Sequence, residues 1–234
     1  MIQANCRDRF TAEDFEFVTK TLATSPEGRV SLVELLTDEE TRNCVLDHDA
    51  LARAIVSQNG HLAISPQLYF YVLTRRVLRA AGIDDRRLSD YIASLLEKFS
   101  STRRLNSATG DGEGETTYLC DLLAALRTAD SARAFLLRTH AGNYALFLTG
   151  IFPESIERRS RRGAPDASYY EEIGRASFRV ASRHRVAREF QLTEIFEHLA
   201  DEFRRVRLAL NDLADRLINV DDDSAAAPGL ALVV

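Results

Sequence analysis

At 234 residues the chain can hold one large domain or two small ones, and its 45% apolar residues suffice for a core without disulfide or metal staples. Charged residues make up 28% and the formal net charge is −5, a balance that gives no bulk electrostatic reason to expect a polyanion binder. Cys6, Cys44 and Cys120 are odd in number and share no CxxC or Cys/His spacing, which argues against a disulfide framework or a zinc knuckle and for a reducing, cytoplasmic compartment.

Helix signals recur along the chain and strand signals are nearly absent. Thr11 with Asp14 reads as an N-cap followed by an acid three positions on, opening a helix through Phe15, Val18 and Leu22 that stops before Pro26. Thr37, followed by Asp38, Glu39 and Glu40, reads as a capping box for a second helix. Asp47 is expected to begin the next, with Leu51, Ile55 and Val56 inward and Asn59-Gly60 as its end. Ser65-Pro66 is the sharpest start signal, because serine caps and proline lacks only an N–H that the first turn leaves unused. The helix it opens, through Leu68, Tyr69, Phe70, Tyr71, Val72, Leu73, Val77 and Leu78 to Gly82, is apolar nearly all round in its first half and so should be surrounded by others. Asp84 and Asp85 open an amphipathic helix with Leu88, Tyr91, Ile92, Leu95, Leu96 and Phe99 on one face.

Between Ser101 and Thr116 apolar periodicity ceases, and Gly110, Gly112 and Gly114 alternate with Asp111, Glu113 and Glu115. This reads as a flexible loop and not a phosphate loop, since no strand precedes it and its acids would repel phosphate. Leu119, Leu122, Leu123 and Leu126 then mark a short helix. Asp130 or Ser131 caps a long apolar one through Phe135, Leu136, Tyr144, Phe147, Leu148 and Phe152, broken by Pro153. After the loop Gly163-Ala164-Pro165, Asp166 caps a helix through Tyr170, Ile173, Phe178 and Val180. In the last helix Leu192, Phe196, Leu199, Phe203, Val206, Leu210, Leu213 and Leu217 step by four and three, a heptad seam. Ile195, Ala200, Ala209 and Ala214 widen that seam, which suits a helix inside a bundle or a homodimer better than a lone zipper. Asp221-Asp222-Asp223 and the Ala/Pro/Gly stretch after it are expected to be disordered.

The fold class is therefore all-α, a multi-helix bundle of roughly eight to ten helices with a long heptad-patterned C-terminal helix. The expected organisation is an N-terminal helical subdomain over 1–100, a flexible Gly/acidic loop over 101–116, a C-terminal helical bundle over 117–219 and a disordered tail over 220–234. Met1 to Phe10 carries charges and no apolar core, so no signal peptide is expected, and no run reaches the ~20 apolar residues of a membrane span. Only Lys20 and Lys98 are lysines; the spread of arginine along the chain reads as the mark of a GC-rich bacterial genome.

Three constellations are candidates for function. His140, Asn143, Tyr144, Glu154, Tyr170 and Glu171 form a candidate polar pocket around the two most apolar C-terminal helices. The repeated Glu-x-x-His of di-metal bundles is missing, however, so neither metal nor cofactor is expected and His140 reads as a structural histidine. The stretch Arg158–Arg188 is basic, and Arg175, Arg179 and Arg183 form one stripe four residues apart. With no reading motif beside them, ion pairs with Glu194, Glu197, Asp201 and Glu202 are expected before nucleic acid. Leu232, Val233 and Val234 at the C-terminus match the apolar-x-apolar pattern of carboxylate-capturing grooves. No nucleophile elbow, Walker loop, HExxH or dinucleotide fingerprint occurs, and no catalytic residue is assigned. The expected function is that of a non-enzymatic interaction or scaffold protein, with a protein partner or a homodimer formed through the 192–217 helix. A bundle enzyme or ligand carrier using the His140 pocket, and a nucleic-acid-associated factor using the basic stretch, are the alternatives.

Overall fold

The computed structural model describes residues 1–57, 63–101 and 114–223, with side chains for 1–57, 63–100 and 119–216. Among the described residues there are twelve α-helices, one short 3₁₀ turn at Arg7–Arg9 and no strand, slightly more helices than the apolar pattern predicts. They are α1 (Ala12–Leu22), α2 (Pro26–Leu35), α3 (Glu39–Leu46), α4 (Asp49–Ser57), α5 (Pro66–Ala80), α6 (Arg86–Ser101), α7 (Gly114–Ala125), α8 (Ser131–Ile151), α9 (Pro153–Ser160), α10 (Ala167–Ser182), α11 (Arg185–Glu189) and α12 (Thr193–Asp223). Asn59-Gly60, most of the Gly/acidic loop and the tail motif Leu232, Val233 and Val234 lie outside the described residues.

The strongest start signals hold. Thr11 and Asp14 close a reciprocal capping box on α1. Ser65 Oγ accepts the Leu68 N–H at 3.1 Å and Pro66 takes the first helical position. The two caps are joined: Asp14 is fully buried and accepts from Ser65 N at 2.7 Å and from Ser65 Oγ at 2.6 Å. Gly82, at φ +78°, ends α5 in the left-handed conformation that glycine adopts without strain.

Other boundaries differ from the expectation. Asp38, not Thr37, caps α3, accepting from Thr41 N at 2.8 Å, while Thr37 Oγ1 donates to Glu34 O at 2.6 Å and closes α2. Either residue type can cap, so the pattern leaves a one-residue ambiguity. Asp47 does not open a helix; it is the C-cap of α3, and α4 starts at Asp49. Helix α2 carries no apolar signal to find it by, since none of its residues is buried and Val30, Val33 and Leu35 are exposed. The backbone of α12 runs on to Asp223, four residues into the 220–234 tail expected to be disordered. Extending an existing helix is far less costly than nucleating one, so packed early turns carry later ones.

One core cluster of buried residues runs through both halves of the chain. Helices α8, α10 and α12 pack pairwise on one another, the α5–α6 pair lies against α12 and α8, and α4 packs on α5 and carries α1, on which α2 lies. Phe135, Phe178, Phe196 and Phe203 meet at centroid distances of 5.4–6.4 Å where the three long helices converge. The described seam residues of α12, from Leu192 to Leu213, are at most 2% exposed within a single chain. The bundle reading of that seam holds. At Glu202 (φ −103°, ψ 15°) α12 is kinked, which lets its two halves follow different neighbours.

Candidate functional site

The residues singled out by sequence take up structural positions. Asn143 is buried on α8 and accepts the Tyr91 hydroxyl at 2.8 Å. His140 stacks on Phe99 with centroids 6.0 Å apart and lies beside Tyr144, one turn on, at 6.4 Å. Burial, helped by Lys98 and the N-terminal ammonium, lowers its pKa below the ordinary imidazole value, so it is neutral at pH 7. Tyr170 is buried and edge-on to Tyr169 at 5.7 Å. Glu171 takes Arg207 Nε at 2.5 Å, and Arg207 continues to Asn211, which caps the Thr149 and Gly150 carbonyls at 2.7 and 2.8 Å. This chain clamps α10 and the end of α8 onto α12. Glu154 is exposed in the first turn of α9. In the arginine stripe, Arg175 Nε donates to Ala200 O at 3.1 Å and Arg179 pairs with Asp201, while Arg183 ends α10. Two of the three guanidiniums are thus committed to α12.

Elsewhere a groove forms where the α3–α4 junction, α5 and the C-terminal half of α12 meet. Its volume is about 430 Å³. The polar lining comes from Asp47, His48, Asp49, Arg75, Arg76 and Arg79 on one side and Asp212 and Arg216 on the other. Because Asp47 ends α3, its carboxylate is free of capping duty and reaches α5. There it takes Arg75 Nε at 2.8 Å and Nη2 at 3.0 Å as a two-pronged fork. It also takes Arg86 Nη2 at 2.8 Å, and its own carbonyl takes Arg79 Nη1 at 3.1 Å. Arg75 adds a bond to Asp84 at the groove edge.

Arg75 is 1% exposed, the largest fully buried side chain among the described residues. Desolvation works against the charge of Arg75, yet its bonds to Asp47 and Asp84 win and raise its pKa. Burial likewise pushes Asp47 up, but Arg75, Arg86 and Arg79 overcome it and hold the carboxyl below the usual range. On the same helix face, burial pushes the Tyr71 phenol up to about 12.

Three arginines, Arg75, Arg79 and Arg86, share the two carboxylates of Asp47 and Asp84 and leave one positive charge to spare. Arg75 Nη1 is buried and has no hydrogen-bond partner among the described residues, and the same holds for Arg86 Nε, Tyr71 Oη and Thr74 Oγ1. Buried polar atoms of this kind call for a partner. Arg76, half-buried in the lining, makes no ion pair or hydrogen bond among the described residues. Asp212 is occupied by Arg216 at 3.0 Å. The arrangement can hold a negative group between α5 and α12.

Sequence reading missed this site. The signal was available in retrospect: Arg75 follows Tyr71 by four positions and Val72 by three, so it falls on the buried face of α5 and needs a carboxylate from elsewhere. Among the described residues no group of His, Cys, Asp or Glu is placed to hold a metal, and no helix is long and apolar enough to cross a membrane. The chain matches no known protein family, no curated protein and no solved structure.

Proposed function

We propose that the protein is a non-enzymatic binding protein that holds an anionic group in the Arg75–Arg76–Arg79–Arg216 groove. The observation that carries this reading is the half-buried guanidinium of Arg76 in the groove lining, unpaired among the described residues, on the same helix as Arg75, whose Nη1 is buried without a partner. It keeps the expectation of a protein that works by contact and moves the working surface from the long last helix to the groove. Because α5 and α12 come from opposite halves of the chain, an anion bound between them stabilises the whole fold.

Thermal melts at constant ionic strength test this. Phosphate or citrate should raise Tm relative to chloride, and the rise should grow with anion concentration as mass action requires. At about 100 times the Kd the gain is ~2.7 kcal/mol. Arg76→Glu combined with Arg79→Glu should abolish the rise. Equal Tm in all three anions overturns the reading.

A further inference from the structure

Resting on that reading, we infer that the anionic group is a phosphate monoester carried on a compact organic body. The donor geometry is the first reason. A carboxylate has two oxygens in one plane, which match a single guanidinium fork. What remains lies on two walls: the fork of Arg76 on α5, beside Arg75, whose Nη1 is buried without a partner, and on α12 the Nη1 of Arg216, whose Nε and Nη2 are spent on Asp212. Donors on two walls suit a tetrahedral dianion, whose three terminal oxygens point in different directions.

Size is the second reason. A groove of about 430 Å³ falls within the roughly 300–1,000 Å³ range of small-molecule sites, well above the ~30 Å³ share of a water molecule that sets the scale for a bare ion. The space beyond the charge is lined by Leu46, Ala52, Val72, Val77 and Ala80. These side chains cannot compensate a second charge and fit the apolar part of an ester. The third reason is the rim. Asp49, in the first turn of α4, lines the groove with no ion pair among the described residues, and Asp212 stands across from the α5 arginines. Acids on both sides repel a continuing polyanion, so one terminal phosphate fits and a nucleic-acid backbone does not.

Isothermal titration of the full chain with phenyl phosphate, inorganic phosphate and benzoate tests the inference. Phenyl phosphate should bind about tenfold or more tighter than benzoate, and more tightly than inorganic phosphate. Arg76→Gln removes a half-buried, unpaired guanidinium and leaves the fold intact. It should weaken phenyl phosphate about tenfold, whereas Asp49→Asn should tighten it. Benzoate binding as well as phenyl phosphate, lost on Arg76→Gln, overturns the phosphate assignment and leaves the anion reading standing. Inorganic phosphate binding as tightly as the ester overturns the organic body. Phenyl phosphate binding unaffected by Arg76→Gln places the ligand elsewhere and overturns both, as does no binding of any of the three.

Discussion

A guanidinium removed from water is stable only where carboxylates replace the solvent it has lost, and this makes Arg75 and its two acids unequal partners. Asp47 is 11% exposed and gives Arg75 a fork of two bonds, whereas Asp84 is 73% exposed and its attraction is screened by water. Truncating Arg75 to methionine keeps the bulk of the stem but leaves Asp47 with Arg86 and Arg79 alone. Breaking a buried pair from one side typically costs about 3–5 kcal/mol. The two surviving arginines put Arg75→Met at the lower end, ~3 kcal/mol. Asp84→Asn, at the wet end of the same guanidinium, should cost under about 1 kcal/mol. Urea unfolding of both variants checks the ratio, and equal losses would mean that Asp84 matters as much as Asp47. The same residues explain why the groove was invisible in the sequence. A hydrophobicity pattern records that Arg75 interrupts an apolar helix, but the carboxylate that neutralises it lies 28 positions away, beyond any periodicity.

Helices were legible where one face is buried and opaque where none is. The apolar stripe of α6, Leu88 through Phe99, is legible because six apolar residues recur at helical spacing and all are buried, whereas the burial of Ser89, Asp90, Ala93 and Ser94 beside them is not. Helix α2 has no such face, so only its Ser25 cap and Pro26 mark it, and the spacing argument passes over it. For α12 the small residues that widen the seam were read correctly as permitting close approach, but the glycines that receive its large side chains were not. A methyl group on Gly174 of α10 would collide with the ring of Phe203, which is fully buried and cannot swing aside. Gly174→Ala improves intrinsic helix propensity by up to ~1 kcal/mol, while overpacking a tight core costs about 1–3 kcal/mol. Since ring and backbone are both fixed here, the steric cost should prevail, for a net loss of about 1–2 kcal/mol. A control that enlarges the space, Phe203→Leu with Gly174→Ala, should recover part of what the single variant loses. If Gly174→Ala is neutral or stabilising in chemical denaturation, α10 and α12 are not packed as closely as the ring contact requires.

At the scale of the molecule, the first ten residues act as a strap over the α5–α6 pair. Arg7 donates its backbone N–H to Asp90 at 2.9 Å and its guanidinium to Asn43 at 2.6 Å; Arg9 pairs with Glu97 at 2.9 Å. Cys6 Sγ reaches Gln67 O at 3.3 Å, and burial pushes its thiol up to about 12, so it stays a protonated donor. Asp90 is 3% exposed, and burial raises its pKa against the opposing pull of the Arg7 N–H and charge. The raised value fixes a sign. Above the ordinary aspartate value of about 4 the unfolded chain has released this proton while the folded chain still holds part of it, so the contribution of Asp90 to stability falls as pH rises through that window. Asp47 does the opposite. Its lowered pKa gives stability that is present above the ordinary value and is lost as pH falls below it. The two windows adjoin without overlapping, which allows them to be separated by mutation. Asp90→Asn keeps an oxygen for the Arg7 N–H and removes the titration, so its stability relative to the unaltered protein should improve as pH climbs from about 4 and stay constant below it. Denaturation midpoints followed by tyrosine fluorescence, the chain having no tryptophan, measure this directly. A difference between the two proteins that does not change with pH would show that the strap holds Asp90 with no net cost to its ionised form.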